Sequence, residues 1–179
     1  HVIRRFSGLK DPSYSPYEGA PDPNPVLSLK TGLNRFVWDM KHESLPGIPK
    51  AYIETSYSGH KVLAGNYTAI LTVANTQKTV SLKILPNPFE IATQEALEAW
   101  DNFMTIGEAN YREMAHLVNE LYPVQSSLAH LLKNNKVASN PELSLGVNAL
   151  LLDLKDWDQE MIQRLSKAYD DVENYPNKF

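Results

Sequence analysis

Five histidines, His1, His42, His60, His116 and His130, are the natural candidates for metal ligation or proton transfer. Linear spacing does not pair them as ligands: His116 and His130 lie two heptads apart on one helix stripe, about 21 Å by the helical rise, too far to share an ion. The spacing predicts no metal site and no cofactor. Glu95, Glu98 and Asp101 crowd the start of a helix, where a solvated face and the positive dipole end explain them better than the paired acids of glycoside hydrolysis. Asp153, Asp156 and Asp158 read the same way on a second helix. Asp39 follows Trp38 at a strand end and has no identifiable second acid, so it reads as a turn carboxylate accepting backbone N–H groups. Cysteine is absent, which removes thiolate nucleophiles and thiolate metal sites together, and no G-x-S-x-G, HExxH or phosphate-loop pattern occurs. No catalytic residue is assigned, and the chain by itself is expected not to be an enzyme.

Two aromatic residues remain as candidate ligand contacts. Tyr14 and Tyr17 sit in a stretch from Ser7 to Pro25 that is dense in proline, glycine, aspartate and serine. Proline removes ladder donors and fixes φ, so this stretch is a long loop, and loops of that length are often functional. The two rings could stack on a sugar or a partner protein, or they could pin the loop to the body of the domain. The Asn66-Tyr67-Thr68 triplet fits a glycosylation acceptor but opens a strand, and is discounted. Trp38, Trp100 and Trp157 read as packing residues.

The elements that position these residues fall into two kinds. Gly32 to Asp39 and Gly59 to Val73 each pass from a glycine turn into an alternation of apolar and polar residues, the period-two mark of a strand with one buried face. Phe36, Trp38 and Met40 would face the core in the first, and Tyr67, Ala69, Leu71 and Val73 share a face in the second. With Val2 to Phe6, Val26 to Lys30, Ala51 to Ser56 and Thr79 to Leu85, six or seven short strands are expected. That number and spacing predict an antiparallel immunoglobulin-like β-sandwich over residues 1–87.

After Pro86-Asn87-Pro88 the period changes. Leu97, Trp100, Met104, Gly107, Tyr111, Met114, Val118, Leu121, Val124, Leu128 and Leu131 follow one another at steps of three and four, a heptad seam of coiled-coil type. Its phase survives Pro123, so one helix kinked there is expected. Asn140, Pro141 and Glu142 form a fresh start, with N-cap, first-turn proline and acidic first turn. A second seam runs from Val147 through Leu150, Leu151, Leu154, Trp157, Met161, Leu165 and Ala168 to Val172. Residues 88–179 are thus expected to form an antiparallel helical hairpin, giving a segregated α+β chain. Leu132, Leu152 and Ile162 lie off the seams and need cover from the sandwich or from another domain.

The GLNRFVWDM stretch, the G-x-x-V-x-x-G-x-Y-T-x-x-L-T-V hairpin, the Pro-Asn-Pro exit and the tail Asp-Val-Glu-Asn-Tyr-Pro-Asn-Lys-Phe together carry a likeness. The chain resembles the C-terminal region of large secreted bacterial proteins that carry an upstream β-propeller of BNR/Asp-box or sortilin-like repeats and are labelled glycosyl hydrolases. Its hairpin is also similar to the immunoglobulin-like domain of the flagellar hook-capping family. The resemblance implies an accessory module that follows a propeller in a periplasmic or extracellular protein, with a signal peptide upstream.

Charge and hydropathy restrict the partners further. A net charge of -4, with no basic cluster longer than Arg4-Arg5, argues against nucleic acid. No apolar run approaches the roughly 20 residues that span a bilayer. The expected role is a non-catalytic module that docks on the upstream propeller and stabilises or orients it. The alternative is a carbohydrate- or protein-binding module using loop 7–25, and a share in a glycosidase active site comes third.

Overall fold

The computed structural model describes residues 1–53, 55–89, 91–162 and 164. Among them the regular elements are two strands, β1 (Gly65–Val73) and β2 (Thr76–Ile84), and three helices, α1 (Gln94–Leu131), α2 (Asn135–Ala138) and α3 (Pro141–Met161). The expected seam positions Leu165, Ala168 and Val172, and the tail motif at 171–179, lie outside the described residues.

The β-sandwich is not formed. β1 and β2 make a two-stranded antiparallel sheet from Gly65↔Ile84 to Val73↔Thr76. The turn between them is Ala74-Asn75, with Ala74 at φ 50. In residues 1–64 the pairing among described residues shrinks to two isolated bridges, Ser7↔Val26 and Lys41↔Lys61. Alternation of side chains does not by itself make a ladder, because each rung needs a backbone donor and acceptor in register. Pro12, Pro16, Pro21, Pro23 and Pro25 remove donors. Left-handed φ values at Gly19, Gly32, Met40 and Lys50 turn the chain aside before a second rung can form. The predicted core face is corrected with it: Phe36 is 38% and Met40 47% exposed, while Trp38 alone is partly covered. Side chains hold this region instead. Phe6 packs on Phe36 with centroids 4.6 Å apart, and Arg4 donates to both oxygens of Asp39 at 3.0 and 3.2 Å.

The helices begin where local chemistry sets them. Thr93 caps α1 by accepting from the Ala96 N–H, and Asn140 caps α3 by accepting from Leu143, with Pro141 in the first turn. α1 runs through Pro123 as one helix of 38 residues. Beside the proline, Gln125 Nε2 donates to the Leu154 carbonyl of α3 at 3.1 Å. That bond, and the shared cluster of Ala115 and Val118 with Ile162, set the two helices against each other in opposed directions.

The core lies where the segment around Ile48 crosses these helices. Residues 41–53 and 55–60 form a strap whose ends are joined by His42 N–H to His60 O, 2.9 Å, and Leu45 N–H to Tyr57 O, 2.7 Å. Ile48, fully buried, plugs into Ala115, Val118 and Ile162, with Tyr111, Met114, Trp157 and Met161 packed around it. Having no ladder of its own, the strap gives its carbonyls to side chains of α1. Tyr111 donates to Pro46, Arg112 to Ser44 and Glu43, and Asn119 to Gly47, at 2.7 to 3.1 Å. Arg164 donates to Pro49 and forms a two-pronged ion pair with the buried Asp158. Helix side chains thus replace the missing strand partner.

Candidate functional site

A convergent polar group forms where the strap's two ends meet α1. His42 and His60 come from the two arms of the strap, Asp101 and Glu108 from α1. Gly59 makes the approach possible: a Cβ there would lie 2.6 Å from the Glu43 carbonyl and 2.8 Å from that of His42. The two imidazoles stack, centroids 4.0 Å apart and planes at 16°, and Trp100 meets the His60 ring edge-on at 5.5 Å. The side chain of His60 is 1% exposed.

Both sides of that ring face carboxylates. Glu108 Oε1 lies 2.9 Å from Nδ1 and also accepts the His60 backbone N–H at 2.7 Å. Asp101 Oδ1 lies 3.3 Å from Nε2. An ionised carboxylate only accepts, so the Glu108 contact places a proton on Nδ1. Burial is the main cause that pushes the His42 pKa below its ordinary value; His60 adds to it and Asp101 and Glu108 oppose it. One ligand atom from each of His42, His60 and Asp101 lies within 4.8 Å of the others. These are residue types that bind zinc and related ions through nitrogen and oxygen.

Linear spacing missed this group. His42 and His60 are brought together by strap closure, not by a helical or strand repeat, and Asp101, assigned above to a solvated helix face, turns inward to them. The Gly59-His60 pair was the available signal, since a glycine at a close backbone crossing next to a histidine marks a constrained position. His116 pairs with Glu120 on the exposed surface of α1, and His130 sits in the last turn of α1. Asp39 accepts from Arg4 and from the Lys41 N–H at 3.1 Å, a turn carboxylate.

The two tyrosines of loop 7–25 are placed differently from each other. Tyr14 is 36% exposed and donates to the Pro21 carbonyl at 3.1 Å. The Tyr17 hydroxyl is buried against Gly47 under the strap, where a Cβ would overlap it. Burial, with the nearby Tyr57 and Tyr14, pushes the Tyr17 pKa up to about 12. Burial likewise raises those of Tyr57 and Tyr111.

A second kind of surface is apolar. In the hairpin register, Tyr67, Ala69, Leu71 and Val73 share a face with Val80, Leu82 and Ile84. Leu71, Val73 and Val80 on that face are each more than half exposed. On α1, the exposed Phe103, Ile106, Leu117, Val124 and Leu131 fall within about 80° of arc, turned away from Ala115 and Val118. No protein-family description, curated protein or solved structure matches this chain. No helix among the described residues is long and apolar enough to cross a membrane.

Proposed function

We propose that this chain is a non-catalytic docking module of a larger exported protein, laying the apolar face of its hairpin and the outer stripe of α1 against a neighbouring domain. The observation that carries the reading is the pair of exposed apolar faces, Leu71, Val73 and Val80 on the hairpin and Phe103, Ile106, Leu117, Val124 and Leu131 along one stripe of α1. Grouped exposed apolar side chains of this kind mark interaction surfaces. An amphipathic two-stranded hairpin is marginal on its own and gains most from a surface that covers its apolar face.

The partner proposed is the upstream β-propeller implied by the resemblance. Titration calorimetry of the chain with the separately produced upstream region tests it. Saturable binding with a negative heat-capacity change, weakened by Leu71→Asp or Val80→Asp, supports the reading. Absence of binding overturns it, as does sedimentation showing that the chain covers these faces with a second copy of itself.

A further inference from the structure

We propose that His42, His60 and Asp101 bind one zinc-like divalent ion that staples both arms of the strap to α1, with Glu108 orienting His60 from outside the coordination shell. The starting point is a convergence of ligand atoms: one from each of His42, His60 and Asp101 lies within 4.8 Å of the others. With Nδ1 of His60 held by Glu108, its Nε2 faces Asp101 Oδ1 at 3.3 Å, a gap that a second ring proton bridges when the imidazole is charged and that a divalent cation bridges in its place. A ligating histidine whose other nitrogen donates to a carboxylate is the common arrangement at zinc, because that bond fixes the tautomer and the ring orientation.

His42 supplies the third donor from the opposite arm. Zinc bonds of about 2.0–2.1 Å in tetrahedral geometry hold ligand atoms about 3.3 Å apart, so the present spread of up to 4.8 Å must close by somewhat more than 1 Å. A stacked pair of rings cannot hold an ion in both ring planes. His42, which is half-buried, must therefore turn about its Cβ–Cγ bond, while His60 stays held by Glu108 and Trp100. The nitrogen donors favour zinc over calcium or magnesium, which take oxygen shells. Three protein ligands leave a fourth position for water, on the side of Asp101, whose side chain is 33% exposed.

The test is Zn²⁺ titration of the whole chain by calorimetry, with Co²⁺ absorption reporting coordination geometry. The expected result is one saturable site and a rise in Tm of roughly 10 °C at a thousandfold excess over Kd. His42→Ala and Asp101→Asn should each weaken binding more than tenfold. Glu108→Gln, which keeps the shape of the orienting group, should weaken it about 10- to 100-fold. His116→Ala and His130→Ala should leave it unchanged. Circular dichroism checks that each variant folds. The proposal is overturned if the folded chain shows no saturable site, if His42→Ala and Asp101→Asn bind as the parent does, or if His116→Ala or His130→Ala abolishes the signal.

Discussion

The strap and the β1–β2 hairpin are both looped-out segments with an apolar side, and they meet opposite fates. The strap has almost no regular hydrogen bonding, yet it carries Ile48, the most completely buried large side chain, because α1 supplies donors to its carbonyls and α3 closes over it. The hairpin has full backbone pairing, yet Leu71, Val73 and Val80 stay open to solvent. Backbone order and burial are therefore separate achievements in this chain. Hydrogen bonds within a hairpin satisfy its own polar groups, while only tertiary contact removes apolar area from water.

Truncation on either side gives the sharpest contrast. Ile48→Ala empties a filled site and should lower unfolding free energy by about 2–5 kcal/mol in urea titrations. Leu71→Ala, on a side chain 54% exposed, should change it by no more than about 0.5 kcal/mol. Equal losses at the two positions would mean that the hairpin face is covered in the isolated chain. Next in size is Gly59→Ala, where a Cβ would press on the backbone of Glu43 and His42. A loss of about 1–3 kcal/mol is expected, with the His42 and His60 proton resonances moving together as the strap's arms part.

Arg112→Met removes the two donors to Glu43 and Ser44 while keeping the stem. It should loosen the strap by about 1–3 kcal/mol, read as faster amide exchange in residues 42–48 with the β1–β2 amides unchanged. Alkaline titration separates the regions without mutation. A tyrosine held neutral by burial contributes stability that is complete below its unfolded pKa near 10 and is lost as pH rises through the folded value. Tyr17, at about 12, should thus ionise late in an alkaline titration, and the strap should unfold on that late step in ultraviolet absorbance. The smallest effect is a gain: Ala74→Gly relieves a left-handed φ of 50 in the hairpin turn and should stabilise it by up to about 1 kcal/mol.

Local chemistry was legible in the amino-acid order. The start of α3 at Asn140, Pro141 and Glu142 could be read directly, since caps and first-turn preferences act within a few residues. So could the strand from Tyr67 to Val73, whose partner lies across a two-residue turn. The heptad seam was half the story for α1: Val118 on it is buried, but Ala115, equally buried, is off it, and Val124 and Leu131 on it are exposed. What the alternation in residues 1–64 could not reveal was whether a neighbouring strand exists to complete each rung. Tertiary structure decided that Pro46-Gly47-Ile48-Pro49 becomes the core plug, and that His42, His60 and Asp101 meet. Those outcomes depend on closing a loop onto a helix some 40 to 70 residues further along the chain, and no short-range periodicity encodes which of the many possible closures buries Ile48.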